Sequence, residues 1–283
     1  MPGIKKYSKV LQEHFNFSIN KPVNASENTL VIQLSSSCFR YGIYRNADNS
    51  LLELKQFPFA QANAKDLDEI IAGNPVLEEG FNNILCGFDF GFNTLLPAEM
   101  SDADSEPFLF LENADQQDHV IREPISGMEI TNLYTVPPDI LTWMVQNFPS
   151  AVYFHQHTSA ILAAGELPEA GLLRVDVQSN YFTVLVFKGR QLQLSRNYGY
   201  AQPADMAFYL LKICEQFQLS QEQVIVRLSG FVDTGSKLYR GIYDYFLNVV
   251  FKSVTWADNI TQLPAHYFTS LNELSLCGLF QET

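Results

Sequence analysis

Few cysteines, few positive charges and no long apolar run set the first limits on this 283-residue sequence. Cys38, Cys86, Cys214 and Cys277 stand far apart and form no C-x-x-C. They read as small buried hydrophobes in a reducing compartment, which excludes a disulfide framework and a cysteine-based zinc site. No apolar stretch approaches the roughly 20 residues of a membrane helix. The N-terminus, MPGIKKYSKVLQEHFNFSINKPVNASEN, lacks the apolar h-region of a signal peptide. The expectation is a cytoplasmic protein that does not touch a membrane, with residues 1–28 as a polar lead-in. Without export, the sequons Asn24-Ala25-Ser26 and Asn259-Ile260-Thr261 carry no meaning.

Cations are scarce as well. Lys and Arg number 18 against 31 Asp and Glu, for a net charge of −13. Arg122 is the only Lys or Arg between Lys65 and Arg174, while Asp102, Asp104, Glu106, Glu112, Asp115 and Asp118 crowd one stretch. Such a surface repels phosphate backbones and argues against nucleic-acid binding. The stretch itself reads as a solvated acidic loop or as a docking patch for a basic partner.

What is abundant is apolar sequence, at 47% of residues, enough to bury two cores of ordinary domain size. The strongest signal is an internal repeat. Leu30–Arg45 lies over Leu173–Lys188 without a gap: Leu30, Ile32 and Leu34 match Leu173, Val175 and Val177, Ser36 matches Ser179, and Phe39 matches Phe182. Each copy alternates apolar and polar, turns at a small polar cluster and alternates again, the pattern of an antiparallel hairpin. A second turn follows (Ala47-Asp48-Asn49-Ser50; Gly189-Arg190) and then a third strand (Leu51 to Phe57; Gln191 to Ser195).

Helices and strands come next. In the first half a helix from Asp66 stops at Asn74-Pro75, a strand runs near 83–87, Pro138 opens a helix and 151–154 is a buried strand. In the second, Pro203 opens a helix with one apolar face (Ala207, Leu210, Leu211, Cys214, Phe217) and Val224–Leu228 is a buried strand. Leu238, Ile242, Tyr245, Phe246 and Val249 mark a last amphipathic helix. The fold class is therefore α/β: two lobes, each a mixed sheet opening with a three-strand antiparallel meander and flanked by helices. The boundaries fall at 29–170 and 171–283.

This order of segments resembles the actin, sugar-kinase and 70-kDa heat-shock superfamily, the actin-like ATPase fold of two ribonuclease H-like lobes. Gln156-His-Thr-Ser-Ala-Ile-Leu-Ala-Ala-Gly165 is similar to that superfamily's E-P-x-A-A-A-L-A-Y-G element. Val175-Asp-Val-Gln-Ser179 stands where the second D-x-G loop belongs, and Leu228-Ser-Gly-Phe231 resembles L-x-G-G with one glycine lost. The whole chain looks like an uncharacterised bacterial family of this fold, with cell-division and pilus-assembly actin homologues as more distant relatives.

The resemblance implies a nucleotide cleft between the lobes, and the departures imply its decay. The first loop reads Ile32-Gln33-Leu34-Ser35-Ser36, with Gln33 for the aspartate and Leu34 for the glycine; the second keeps Asp176 but has Val177 for its glycine. Glycine lets amides reach phosphates unobstructed. Leu34 and Val177 are therefore expected to fill the phosphate space and help hold the lobes closed. A vestigial site would be lined by Ser35, Ser36, Asp176, Ser179 and Gly230. The functional expectation is a non-catalytic scaffold without a cofactor, binding a protein partner or forming a homodimer. The alternative is a weak ATP binder.

Other motifs read as ordinary structure. Gly230-Phe-Val-Asp-Thr-Gly-Ser-Lys237 nearly spells a P-loop, but Ser236 and Lys237 are exchanged relative to it, so a glycine-rich turn capping a helix is expected. His155-Gln-His157 offers two imidazoles and no third ligand nearby, with Thr158 or Ser159 as helix cap. A nuclease would need a carboxylate cluster, and Asp176 stands alone on its hairpin. Tyr198, Tyr200, Tyr243 and Tyr245 exceed what one buried face needs and suggest an association surface in the second lobe.

Overall fold

The computed structural model describes residues 15–18, 23–90, 93–100, 119–252, 254, 264 and 266–278. The acidic stretch Asp102–Asp118, the sequon at Asn259 and much of the N-terminal lead-in lie outside the described residues.

Strands β1 (Phe15–Ser18), β2 (Asn28–Ser35), β3 (Cys38–Arg45) and β4 (Leu51–Pro58) lead to helix α1 (Ala64–Gly73), which Asn63 caps by accepting the Asp66 amide. There follow β5 (Asn83–Asp89), β6 (Asn93–Pro97), β7 (His119–Pro124), β8 (Ile130–Val136), α2 (Pro138–Asn147), β9 (Val152–His155) and α3 (Gln156–Leu162). The second half runs β10 (Leu172–Val177), β11 (Tyr181–Lys188), β12 (Gln191–Gly199), α4 (Pro203–Phe217), β13 (Ile225–Gly230), α5 (Lys237–Tyr243), β14 (Asn248–Phe251) and α6 (Thr269–Cys277).

These elements build a six-stranded sheet in the order β1-β4-β3-β2-β5-β9, a five-stranded sheet in the order β12-β11-β10-β13-β14, and a small sheet β6-β8-β7. The two meanders thus open two separate mixed sheets. Their pairing matches residue for residue: Leu34 faces Phe39 as Val177 faces Phe182, and Gln33 faces Arg40 as Asp176 faces Thr183. Even the bulge recurs, after Ile43 in one meander and after Val186 in the other. The β11–β12 turn takes positive φ at both Gly189 and Arg190, the conformation that suits the twist of a tight hairpin.

Each sheet has its own core. Leu30, Ile32 and Leu34 pack with α1 and α2 residues such as Leu67 and Trp143; Leu173, Val175 and Val177 pack with Met206 and Leu210 of α4. The opposite face of the first sheet is covered by α6, whose Leu271 and Leu274 meet Val31, Tyr44 and Leu85. Gly87 makes that approach possible, because a Cβ there would stand 2.7 Å from Leu274 Cδ2. Thus α6, from the end of the chain, completes the first sheet's second face.

Two elements depart from the sequence reading. The amphipathic segment after Leu238 is helical only to Tyr243; Asn248–Phe251 is instead β14, parallel to β13 at the sheet edge. β-Branched Val249 and Val250 suit a strand, and their spacing from Ile242 mimicked a helix face. The third strand of the second meander runs on to Gly199 rather than stopping at Ser195. In that lobe Tyr243 and Tyr245 are more than half exposed, whereas Tyr198 packs against Phe182 and Tyr209.

Candidate functional site: the cleft between the sheets

The C-terminal ends of β2 and β10 and the turns after them face one another across a cleft of about 180 Å³. Gln33, Ser35, Arg40, Asp89, Asp176 and Gln178 are among its lining residues, and the Tyr181 hydroxyl of the second hairpin donates across it to Asp89. The side-chain period of two explains this lining. Positions 33 and 35 share one face of β2, and 176 and 178 share the corresponding face of the second hairpin. Leu34 and Val177 lie between them; Leu34 borders the cleft, but both are nearly fully buried, at 1% and 0% exposure, and pack into their own sheets' cores. The expectation that these two side chains fill the phosphate space and join the lobes is therefore corrected. The side chains that meet the cleft where a glycine would bare its amides are Ser35 and Gln178, two residues past Gln33 and Asp176.

Of the expected site residues, Ser35, Asp176 and Ser179 line the cleft; Ser36 and Gly230 are not among its lining residues. The Ser36 carbonyl accepts the Ala62 amide. The Gly230 amide donates to His266 O at 2.7 Å. Gly230 is required for another reason: with φ +78°, a Cβ would lie 2.1 Å from Val177 O, where β13 closes against β10.

Gln33 is held from three sides. Its Oε1 accepts from Arg40 Nη1 at 3.1 Å and from the Ser270 hydroxyl at 3.3 Å, while its Nε2 donates to Gln156 Oε1. Arg40, only 6% exposed, also donates from Nε to Gln56 Oε1 at 2.9 Å, and its guanidinium carbon lies 5.3 Å from the Phe268 ring centre and 5.7 Å from that of Phe231. Asp176 accepts from Ser229 Oγ and from Gln178 Nε2, each at 2.6 Å. Burial raises its pKa, against the lowering effect of the Ser229 hydrogen bond.

The paired histidines serve the frame. His155 ends β9 and caps α3 through Nδ1, which accepts the His157 amide at 3.1 Å, a role expected of Thr158 or Ser159. His157 donates from Nε2 to Asn197 Oδ1 at 2.9 Å and accepts the Ser195 hydroxyl at Nδ1 at 2.7 Å, linking α3 to β12. Burial pushes both imidazoles toward the neutral form. Among the described residues no group of three His, Cys, Asp or Glu could hold a metal ion. The near-P-loop turn is a helix cap: Ser236 Oγ accepts the Tyr239 amide at 3.1 Å, and Lys237 is the first residue of α5.

Beside α3, Glu123 of β7 fixes the small sheet to the first lobe. Its Oε2 accepts the His155 amide at 2.9 Å and the Thr158 hydroxyl at 3.0 Å, while Oε1 is buried without a partner. Burial lifts this carboxyl to about 7 despite both donors. A carboxyl with a raised folded pKa takes up a proton on folding between its unfolded and folded values. Stability is then highest below the unfolded value of 4.5, falls as pH rises to about 7 and stays low above it. Glu123→Gln is expected to be more stable than the parent at pH 8, by up to about 3 kcal/mol, and to match it near pH 4.5. Urea melts at the two pH values measure this; a parent whose stability is flat across that window refutes it.

Comparison with known proteins agrees with this architecture. A structure from Bacteroides thetaiotaomicron VPI-5482, described as a protein with actin-like ATPase fold and unknown function, superposes with a TM-score of 0.75 at 18% identity, over 89% of this chain and 96% of that one. A PilM–PilN type IV pilus biogenesis complex matches with a TM-score of 0.60 at 11% identity, over 90% and 99%. The ethanolamine utilization protein EutJ from Carboxydothermus hydrogenoformans gives 0.50 at 9%, over 91% and 92%. No curated protein sequence matches the chain. The fold is the actin-like ATPase fold, and with residues 17–249 matched by its profile, the chain belongs to the family described as protein of unknown function (DUF3822).

Proposed function

We propose that this protein is a non-catalytic scaffold on the actin-like fold: two lobes divided near residue 170, derived from a duplicated unit, with a nucleotide cleft that has lost its chemistry. The observation that carries this reading is the state of Gln33. It stands where the first loop's aspartate belongs, and its amide oxygen already accepts from a buried guanidinium and a hydroxyl. A cation fixed at that oxygen leaves it no role as a metal ligand, and no carboxylate is present on the first loop to replace it. Gln178 lies over Asp176 on the other side. Without a metal and open amides, the charge of a triphosphate meets, among the described lining residues, one cation, Arg40, set against the carboxylates of Asp89 and Asp176 on the same lining.

A scaffold acts by binding. The PilM–PilN structure, whose fold this chain shares, is a complex of two proteins. Exposed Tyr243, Tyr245 and Leu247 beside the edge strand β14 give this chain an apolar surface suited to a protein partner or a second copy. No helix among the described residues is long and apolar enough to cross a membrane.

Thermal unfolding with millimolar Mg-ATP or Mg-ADP tests the loss of the nucleotide site. The midpoint is expected to move by less than about 1 °C, with no phosphate release above background. A clear stabilisation by Mg-ATP, lost in Asp176→Asn, would move the protein to the nucleotide-binding members of its fold.

A further inference from the structure

The cleft holds three ionisable groups, Arg40, Asp89 and Asp176, that make no direct ion pair with one another. The hydrogen bonds of Arg40 go to the amide oxygens of Gln33 and Gln56, both neutral. Asp89 accepts from Tyr181 and Asn197, and Asp176 from Ser229 and Gln178, again neutral donors. Among the described residues, none of the ion pairs includes Arg40, Asp89 or Asp176. Elsewhere the chain behaves differently: buried Arg174 and Lys252 both reach Glu273. A guanidinium 94% withdrawn from water, which feels Asp176 through space but makes no direct ion pair, is costly to keep. Keeping one at the wall of an open cleft, with two carboxylates on the same lining, is what a site for a doubly charged, net-neutral guest requires.

We infer that the cleft binds a small zwitterion, a free α-amino acid or a dipeptide, with its carboxylate on Arg40 and its ammonium toward Asp89 and Asp176. Size agrees with charge. A cleft of about 180 Å³ is smaller than the roughly 300–1,000 Å³ of pockets that take drug-sized ligands. The two carboxylates also disfavour a polyanion. Phe231 and Pro58 supply an apolar wall for a side chain, and Ser35 and Asn180 supply polar atoms at the rim. The site draws on both hairpins and on Asp89 of β5, so occupancy would tie the two lobes together without any chemistry.

The experiment is a thermal-shift screen of the full chain with the twenty L-amino acids and Gly-Gly at 10 mM, followed by calorimetry on those that stabilise. Each active compound is repeated as its N-acetyl derivative, which lacks the ammonium, and as its amide, which lacks the carboxylate. A subset of the zwitterions is expected to raise the midpoint by about 5 °C at a hundredfold excess over Kd, and neither blocked form to do so. Asp89→Asn and Arg40→Gln are each expected to weaken binding at least tenfold. Asp89 is half-buried at the rim and tolerates an isosteric change, so that variant keeps the test valid if Arg40→Gln does not fold. Three results would overturn the inference: no stabilisation by any zwitterion, equal stabilisation by the N-acetyl forms or by inorganic phosphate, or affinity unchanged in Asp89→Asn.

Discussion

Glu273→Ala is expected to lose about 3–5 kcal/mol of unfolding free energy, the largest effect of any single substitution considered for this molecule. Glu273 is 3% exposed on α6 and takes both Arg174 of β10 and Lys252, the residue after β14. These two cations, together with Arg227, also close the C-terminal end of α3: Arg174 donates to Ala160 O, Lys252 to Ala163 O at 3.2 Å, and Arg227 to Ala164 O at 3.1 Å. Removing the carboxylate leaves buried Arg174 and half-buried Lys252 facing each other, with only carbonyl dipoles as compensation. Burial already lowers the Lys252 pKa, and Glu273 is the main influence opposing that. Truncating Lys252 to Met in the Glu273→Ala background should therefore recover part of the loss, because it removes one stranded charge. Urea denaturation with an unchanged m-value is the measurement. A Glu273→Ala protein within 1 kcal/mol of the parent would show that the trio is not what fastens α6 to the second sheet.

The double variant Leu34→Gly/Val177→Gly is the second large effect. Each side chain is fully buried, and each belongs to a different core. Cavity formation and backbone freedom together make each truncation worth about 3 kcal/mol. Sites without shared partners add, so the pair is expected to cost roughly 6 kcal/mol. The losses of the singles should sum to that of the double; strong non-additivity would mean the two residues share one interface, contrary to their placement. Mg-ATP is not expected to rescue the double variant, because glycine at these positions opens the cores and leaves Gln33 and Gln178 where they are.

The sequence carried the fold wherever one face of an element is apolar and the other is not. The alternation in Leu30–Leu34 and Leu173–Val177 predicts both hairpins, and the ungapped repeat gives their matching register. It could not reveal α6. That helix buries Thr269, Ser270, Asn272, Glu273 and Ser275 as well as Leu271 and Leu274, being enclosed on nearly all sides. With Ser270 and Ser275 bonded to Gln33 and Asn49 of the first lobe and Glu273 to Arg174 and Lys252 of the second, no apolar stripe marks it. The small sheet was missed because the acidic stretch separates β6 from β7 in sequence. At the cleft, residue types led to the correct strands. Leu34 and Val177 were placed one position off, because the period of two assigns 33 and 35 to one face and 34 to the other. That Arg40, on the partner strand of its hairpin, makes no direct ion pair is a property of three-dimensional neighbours and has no trace in local pattern.

The position of α6 also sets an order of events for the nascent chain. A ribosome delivers β2, β3, β5 and β9 early, with Val31, Tyr44, Leu85 and Phe154 facing water on the side that Leu271 and Leu274 later cover. At ordinary elongation rates the covering helix follows roughly ten seconds after β9 emerges. During that interval the first lobe holds an open, sticky face, so its folding completes only after the second lobe has been made. Premature termination before Thr269 is expected to yield an aggregating product rather than a trimmed but working one, and a trigger-factor-like chaperone would find its landing surface on the first sheet.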